Sequence, residues 1–454
     1  MPDKFIKFYI FSVYGDALPI AYHLKAEGMD VTMAMVDDYK SVGMKTEEPE
    51  YHKSRWSQYE GMLDVITCEQ ALKRMAHERN KDEVCILFDL NILWPFANQA
   101  RVLGFKYGIF PSKLHRRLED DREFAKKFVL ENYPGLKCAE CQDFKNVDEA
   151  IEFVNGSDEF WALKGNDPDC STVVPRQKNI EHVKAEIIEA LQSGRADYEK
   201  KGFILERQIR DGLEMCPSMI WSGGKRVASL VNLEDKAYSA TDSSKMYGCS
   251  INMIVATPLD CELNQIAFPP AADKLAKLEK GLFYLDANII QKDGDFYFLE
   301  FCPQRMGFDQ VYAEMEMAGT VSDYFNKLLH GENPYNAKYG AGVHAFSTEK
   351  DDGGRVKDEI PLRLDEEERH VWYMGVKKKG ENIVNTKGSF GEPIVGIDLV
   401  AFTEDSDDPE YALIKMRDVV KNFSFAGLYL RDDWDKIMDR VEKIEKWISC
   451  DDDS

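Results

Sequence analysis

Two acidic residues, Asp286 and Glu300, stand in an otherwise largely apolar stretch that spans residues 282–310. A carboxylate in an apolar strand is costly unless it is paired or binds a metal. Two such carboxylates suggest a divalent cation, and Arg305, which follows them, suggests an anion nearby. The alternative is an ordinary hairpin with an acid at its edge.

The stretch around these acids has the pattern of a β-hairpin. Residues 283–290 alternate in the period of a half-buried strand, residues 292–295 (Lys-Asp-Gly-Asp) give a turn signal, and residues 296–301 return. The turn length decides the geometry. An odd turn, such as a three-residue loop with a glycine bulge, places Asp286 and Glu300 on one face, whereas a two-residue turn places them on opposite faces.

The composition is that of a soluble globular protein. The 454 residues are too many for one compact core, so we expect two to four domains, and 44% of them are hydrophobic and 31% charged. No apolar run is long enough to span a membrane, and the N-terminus has the pattern of a first strand rather than a signal peptide. The net charge of -23 argues against a general affinity for nucleic-acid backbone, although a local basic pocket remains compatible with it.

The ten cysteines are scattered, which fits a reducing compartment, and we expect a cytoplasmic protein. Cys138 and Cys141 form a lone C-x-x-C motif without a second pair at zinc spacing. A metal or redox site is one interpretation of this motif, and a pair of structural thiols is the favoured one.

The N-terminal part alternates strands and helices in the order expected for a parallel sheet. It lacks a G-x-G-x-x-G fingerprint. Ligands of such sheets bind at the carboxyl ends of strands, so a candidate cleft is formed there, although a structural role is an equal alternative for loop acids. The candidate cleft residues are Gly15, Asp16, Asp89 and Asn91. The predicted elements are strands at 4–13, 31–36, 84–90 and 107–110 and helices at 17–27 and 94–103.

The middle of the chain places a lysine at the end of a strand. Residues 160–164 (FWALK) read as a strand that ends on Lys164, before the polar loop 165–172. Such a lysine is either a phosphate contact or a solvated side chain. The other predicted elements here are helices at 118–130, 147–154 and 180–191 and strands at 203–209 and 219–221.

The order of these features resembles the ATP-grasp superfamily, and within it the glycinamide ribonucleotide synthetase (phosphoribosylamine–glycine ligase) family. Four features follow one another along the chain: a lysine on a helix, a lysine at a strand end, a strand with a glutamate, and a hairpin with two acids and an arginine. The similar segments are LEDDREFAKKF, CQDFKNVDEAIEFV with FWALKG, FILERQIRDGLE and FYFLEFCPQRMGFDQ. Later segments, among them YGAGVHAFS and FAGLYLRD, are similar to the small C-terminal domain of that family.

The resemblance implies a fold that combines α/β and α+β domains. A Rossmann-like, doubly wound pre-ATP-grasp domain is expected at 1–115, an ATP-grasp domain at 116–335 and a small C-terminal α+β domain with a terminal helix at 336–454. It also implies ATP and Mg²⁺ as cofactors. The roles carried over are phosphate binding by Lys126 and Lys164, adenine-hinge and ribose contacts by Glu206 and Glu214, magnesium binding by Asp286 and Glu300, and catalysis by Arg305 and Lys236.

The sequence departs from the family at three places, one of which is the N-terminal segment that carries substrate phosphate contacts in the family and is poorly matched here. The loop 165–172 has one glycine, two acids and Pro168, which offers no N–H to a phosphate. Cys302 stands where the family has a metal-binding asparagine, and thiolate is a poor ligand for magnesium. Gln304 is the candidate replacement.

The family implies a ligase that activates a carboxylate as an acyl phosphate and joins it to an amine. The expected partners are small molecules, namely an amino acid such as glycine and an amine such as phosphoribosylamine, in purine biosynthesis. One alternative is a degenerate ATP-grasp protein that binds nucleotide or a partner without ligation. Another is a ligase that attaches an amino acid to a modified nucleotide, and a simple sugar-nucleotide binder is a third.

Overall fold

The structure is a computed structural model, and it describes residues 4–43, 56, 59–165, 172–237, 246–304, 310–348, 359–364, 370–386 and 397–449. The α-helices in these ranges are α1 Leu18–Ala26, α2 Cys68–Ala76, α3 Trp94–Val102, α4 Lys113–Asp120, α5 Arg122–Asn132, α6 Val147–Gly156, α7 Ile180–Ser193, α8 Arg195–Lys201, α9 Glu262–Ala267, α10 Pro270–Ala276, α11 Gln310–Glu316, α12 Val321–His330, α13 Pro409–Lys421 and α14 Asp435–Ile448. Short 3-10 helices lie at Tyr39–Val42, Lys81–Glu83 and Asn91–Leu93.

The strands of the first two thirds of the chain are β1 Lys7–Ser12, β2 Asp30–Met35, β3 Val65–Thr67, β4 Val84–Phe88, β5 Gly108–Ile109, β6 Lys137–Cys138, β7 Cys141–Phe144, β8 Trp161–Gly165, β9 Phe203–Arg207, β10 Leu213–Ser222, β11 Lys225–Ala237, β12 Met246–Ala256, β13 Leu282–Lys292 and β14 Asp295–Pro303. The later strands are β15 Tyr339–Ser347, β16 Pro361–Leu364, β17 Val371–Tyr373, β18 Val376–Lys379, β19 Asn382–Asn385, β20 Ile397–Ser406, β21 Phe423–Ser424 and β22 Leu428–Leu430.

The N-terminal strands form a parallel sheet in the order β5-β4-β1-β2-β3. Alternate residues of β1 enter two different cores: Phe8 and Ile10 pack in one, and Tyr9 and Phe11 pack in the other. Both faces of the sheet are therefore covered, as parallel sheets require. The predicted doubly wound arrangement is confirmed.

This parallel sheet continues into a larger antiparallel one. Leu282 of β13 pairs with Ile109 of β5, and the sheet proceeds in the order β13-β10-β11-β12-β15-β20-β17. A separate three-stranded sheet, β7-β9-β8, packs one face against α6 and α7. The combination of α/β and α+β parts agrees with the predicted fold class.

The predicted helix over 118–130 is wrong as a single element. The chain breaks between α4 and α5 at Asp121, whose backbone leaves the helical region at φ -96° and ψ 85°. The Asp121 carboxylate accepts a hydrogen bond from the backbone N–H of Phe124 (3.0 Å). The acid therefore caps a new helix instead of continuing the old one.

The C-terminal part contributes strands β15, β20 and β17 to the same large sheet. Tyr339 of β15 pairs with Val255 of β12, across the predicted boundary at 335, and Trp447 of α14 packs edge-on against Phe296 of the hairpin at 5.4 Å. The domain boundaries at 115 and 335 stay predictions. None of the helices in the described ranges has the length and apolarity needed to cross a membrane.

Candidate active site

The hairpin places Asp286 and Glu300 on one face of the sheet, but not through its turn. The turn has two residues, Asp293 and Gly294, both with positive φ (52° and 87°), and such a turn alone separates the two acids. A bulge in β14 restores them to one face, because Asn288 pairs with Glu300 while the next residue of β13 already pairs with Phe298. The shared face is therefore produced by the extra residue Leu299 inside the strand, and the expectation that a two-residue turn places the acids on opposite faces is wrong.

Glu214 and Lys236 join these acids on the same face of the antiparallel sheet. Glu214 pairs with Ile290, two positions along β13 from Asn288, and therefore points to the side of Asp286. Lys236 Nζ lies 3.0 Å from Glu234 Oε1. Burial alone disfavours the charged lysine, but Glu234, Glu214 and Glu300 outweigh it and raise the pKa of Lys236.

The donor set on this face suits a hard cation. Asp286 is 1% exposed, and Asn288 Nδ2 donates to Glu300 Oε1 (3.2 Å), which also brings an amide oxygen to the two acids. Magnesium prefers carboxylate and amide oxygens and takes only one or two protein carboxylates beside substrate phosphates. No cluster of three or more histidine, cysteine, aspartate or glutamate side chains suited to a metal occurs in the described part of the chain. The residues therefore fit a magnesium ion that is shared with a phosphate ligand.

Cys302 and Gln304 do not add to this set. Burial, together with the charges of Glu300, Glu119 and Asp286, raises the pKa of the Cys302 thiol well above its ordinary value. Gln304 is fully buried, and its amide is engaged by the backbone N–H of Tyr284 (3.1 Å) and by a backbone carbonyl at 3.1 Å. Gln304 is therefore a structural residue, and Asn288, which the sequence analysis did not single out, is the better candidate ligand.

Lys126 and Lys164 meet at Glu206. Lys126 lies on α5 and Lys164 on β8, and Glu206 lies on β9, two pairs along the ladder from Lys164. Lys164 Nζ is 2.5 Å from Glu206 Oε1, and Lys126 Nζ contacts Glu206 Oε2. Two lysines on separate elements thus share one carboxylate.

The electrostatics of this lysine–glutamate cluster are those of a buried ion pair. The side chains are 12%, 14% and 5% exposed for Lys126, Lys164 and Glu206. Burial favours a neutral Glu206, but Lys164 and Lys126 outweigh it and lower the pKa of the carboxyl. Burial also opposes the charge on Lys126, and its anionic neighbours, Glu206 first, raise its pKa.

Cys141 belongs to the same cluster. Lys126 Nζ donates to Cys141 Sγ (2.6 Å), and both residues line a cavity of about 570 Å³. Cys138 and Cys141 are both free thiols. The interpretation of the C-x-x-C motif as a pair of structural thiols stays a prediction.

The two groups of residues lie on elements that touch. Helix α5, which carries Lys126, packs on strand β14, which carries Glu300. Strand β6 also pairs with β14, through Cys138 opposite Phe298. A common cleft for the lysines and the hairpin acids stays a prediction.

The N-terminal cleft residues divide into two kinds. Asp89 is fully buried and accepts hydrogen bonds from Ser12 Oγ and the Val13 N–H (3.4 Å). Burial raises its pKa to about 7, although these hydrogen bonds lower it. Gly15 and Asp16 serve the fold through their backbones, because the Gly15 N–H donates to Ser12 Oγ (2.8 Å) and the Asp16 carbonyl accepts from a tyrosine hydroxyl (2.8 Å). Asn91 instead reaches out of this sheet.

Two predicted features lie outside the described residues: Arg305 and positions 166–171 of the glycine-poor loop. The sequence analysis also missed Glu234, Glu119 and Asn288. Asn288 had a usable signal, since it is two residues from Asp286 in a strand of period two.

No known protein-family model matches this sequence, and a search among curated proteins gave no match. Solved structures, in contrast, are similar over nearly the whole chain. A phosphoribosylamine–glycine ligase from Thermotoga maritima is 18% identical with a TM-score of 0.64, covering 94% of this chain and 100% of its own. An L-amino acid ligase from Bacillus licheniformis is 12% identical with a TM-score of 0.51, covering 94% and 99%.

A third similar structure was solved with nucleotide and metal. The biotin carboxylase domain of 2-oxoglutarate carboxylase from Hydrogenobacter thermophilus, in complex with MgADP, ADP and bicarbonate, is 12% identical with a TM-score of 0.57 and covers 98% of this chain and 99% of its own. At these identities the similarity establishes the fold. The chain has the ATP-grasp fold, as its sequence motifs predict.

Proposed function

We propose that this protein is an ATP- and Mg²⁺-dependent ligase that joins a carboxylate to an amine through an acyl phosphate. The observation that carries the proposal is the meeting of Lys126 and Lys164 at Glu206, together with the packing of the helix of Lys126 against the hairpin strand of Glu300. Phosphoryl transfer depends mainly on positioning and on neutralising charge, and these residues offer cations for phosphates and acids for a metal.

The nucleotide would lie along the lysine–glutamate cluster. Lys126 and Lys164 would bind the phosphates of ATP, which requires that they loosen their bonds to Glu206. Glu206 and Glu214 keep the proposed adenine-hinge and ribose positions. The family resemblance supports these roles, and the buried charge of the cluster makes it responsive to a polyanion.

The metal would be held by Asp286 and Glu300, with Asn288 as a third oxygen donor. When bound, magnesium supplies charge neutralisation for the transferring phosphoryl group. Lys236 lies beside the acids and would keep a positive charge near the reacting oxygens. Arg305 is proposed, from the resemblance alone, to neutralise the acyl phosphate.

The reaction would run in two steps. A substrate carboxylate oxygen attacks the γ-phosphorus of ATP, the bond to the β-phosphate oxygen breaks, and ADP leaves. The amine then attacks the acyl carbon, and the C–O bond breaks with release of inorganic phosphate. Glycine and phosphoribosylamine are the first substrates to test, because the Thermotoga maritima structure is named for them. We also propose a role in purine biosynthesis, from the family resemblance, and a cytoplasmic location, from the scattered cysteines.

A second candidate function rests on a specific observation. Glu206 already pairs with both Lys126 and Lys164, and Cys302 stands in the hairpin where a metal ligand is expected. A degenerate ATP-grasp protein that binds nucleotide without ligation fits these two features. A ligase for an amino acid and a modified nucleotide is a variant of the first proposal with a larger amine.

The test is ADP release from ATP and Mg²⁺ in the presence of glycine and other amino acids, with and without phosphoribosylamine. Glu300→Ala is the test variant. Asp293→Asn is the matched control, because it removes an exposed acid from the turn of the same hairpin. If the protein is a ligase, ADP release should require both substrates and should be lost in the Glu300 variant but not in the control. Nucleotide binding without ADP under any pairing would favour the degenerate protein.

A further inference from the structure

Asn91 and Glu119 form a polar pair beside the hairpin face. Asn91 follows β4 at the carboxyl edge of the parallel sheet, and Glu119 lies on α4. Asn91 Nδ2 donates to Glu119 Oε2 (2.7 Å) and to the carbonyl oxygen of Pro303 (2.5 Å), the last residue of β14. The pair therefore ties the N-terminal sheet to the end of the strand that carries Glu300.

The orientation of the Asn91 amide is fixed by its partners. Both contacts are acceptors, a carboxylate and a carbonyl, so the amide nitrogen must face them. Asn91 is only 4% exposed, and its Oδ1 has no hydrogen-bond partner within the described part of the chain. A buried acceptor without a donor is unfavourable and calls for a ligand that supplies one.

The charges around the pair are mostly negative. Burial first, and then the charges of Asp120 on its own helix and of Glu300 on β14, raise the pKa of Glu119 to about 7, against the hydrogen bond from Asn91 and the charge of Arg116. Arg116 Nε is bonded to Asp120 (2.9 Å), which offsets its charge. The charge of Glu119 also contributes to the raised pKa of the Cys302 thiol on β14. When Glu119 is ionised, the pair thus offers hydrogen-bond acceptors in a negative potential and repels anions.

This chemistry selects one of the three ligands of the proposed reaction. ATP and a carboxylate are anions, and the Glu119 carboxylate would repel both. A primary amine or an ammonium ion carries at least two N–H donors and, when protonated, a positive charge. It matches the free Oδ1 of Asn91 and the carboxylate of Glu119 together.

We propose that Asn91 and Glu119 bind the amino group of the second substrate, with its N–H groups donating to Asn91 Oδ1 and to the Glu119 carboxylate. The inference rests on the proposed ligase function and names the part of the site that takes the nitrogen nucleophile. The amine enters between the carboxyl edge of the parallel sheet and the end of the hairpin.

The experiment separates formation of the acyl phosphate from use of the amine. Hydroxylamine traps an acyl phosphate as a hydroxamate and carries no charge near neutral pH. Ammonium, methylamine and phosphoribosylamine serve as the amine probes, each with the carboxylate that supports trapping. The variants are Glu119→Gln, which keeps an acceptor for Asn91 but loses the charge, and Asn91→Ala. Asp120→Asn is the control with the same change one residue away.

We expect both test variants to raise the KM for the amine at least about tenfold and to leave the hydroxamate rate within about twofold, from the strength of a hydrogen bond to a charged group. Asp120→Asn should change neither. Nucleotide binding and thermal melting of each variant establish that the chain still folds.

The outcomes are distinct. No hydroxamate from the wild type with any carboxylate would refute the ligase itself. Hydroxamate from the wild type together with an unchanged amine KM in both variants would refute the amine subsite and leave the ligase standing. An equal fall of hydroxamate and amide formation in Glu119→Gln would assign Glu119 to the nucleotide or metal, and would also overturn the amine subsite.

Discussion

Replacing Glu206 with glutamine should both destabilise the protein and increase its affinity for polyphosphates. Glu206 is 5% exposed and is the carboxylate shared by Lys126 and Lys164, themselves 12% and 14% exposed. Removing one partner of a buried ion pair leaves the other charge uncompensated, which costs about 3–5 kcal/mol. Glutamine keeps the shape and one acceptor, so we expect a loss of about 3 kcal/mol in the free energy of unfolding at pH 7.

The two pKa shifts determine how the stability difference between wild type and Glu206→Gln changes with pH. The pKa of Glu206 is lowered in the folded protein from an ordinary value of 4.5, so its contribution is present above pH 4.5 and is lost as the pH falls through the lower folded value. The pKa of Lys126 is raised above 10.5, so its contribution is present below pH 10.5 and is lost as the pH rises through the higher folded value. The stability difference between wild type and Glu206→Gln should therefore be largest between these limits and shrink in acid.

Urea denaturation at a series of pH values measures the first effect, and titration with tripolyphosphate measures the second. With Glu206 gone, both lysines are available to the anion, and we expect about tenfold tighter binding, equivalent to one charge-assisted hydrogen bond. Glu159→Gln is the control, because it removes an exposed, ion-paired acid near the same sheet. Equal stability and equal tripolyphosphate affinity in wild type and Glu206→Gln would refute the argument that Glu206 holds both lysines.

Three further predictions concern other elements. Deleting Leu299 removes the bulge and leaves Glu300 opposite Asn288, on the face of Asp286, so Mg²⁺-dependent binding of ADP, measured by calorimetry, should persist, and its loss would contradict this register. Arg431 is 1% exposed and paired with Asp235 at 3.1 Å, so Arg431→Met should lower the free energy of unfolding by about 3–5 kcal/mol in urea, and an effect below about 1 kcal/mol would contradict it. Cys141 lies in the lysine–glutamate cluster, so its alkylation by N-ethylmaleimide, followed by mass spectrometry, should be slowed by ATP, and equal rates with and without ATP would place the nucleotide elsewhere.

The elements that carry the site were predictable because their signals are local. The hairpin is indicated by alternating apolar residues and an Asp-Gly turn, and Lys164 lies at the end of an apolar strand. The break at Asp121 was missed because the charge pattern of the helix outweighed a capping signal. The segments similar to the ATP-grasp fold were recognised by their order along the chain.

The contacts that decide the chemistry were not predictable, because they join distant parts of the chain. The bulge at Leu299 appears only when β14 is paired with β13, and turn length alone gave the opposite parity. Nothing local connects Asn91 with Glu119, since Asn91 follows β4 and Glu119 lies on α4, with α3 and β5 between them. The carboxylate of Glu206 was assigned to the adenine, while its bonds to two lysines arise from tertiary packing.

Transfer of labelled oxygen tests the central claim most directly. The carboxylate substrate is supplied with ¹⁸O, and the inorganic phosphate released with ADP is examined by mass spectrometry. A ligase that forms an acyl phosphate breaks the C–O bond on the acyl side, so the phosphate must carry one labelled oxygen from the carboxylate. Unlabelled phosphate formed together with ADP would mean hydrolysis by water, and would contradict the proposed reaction.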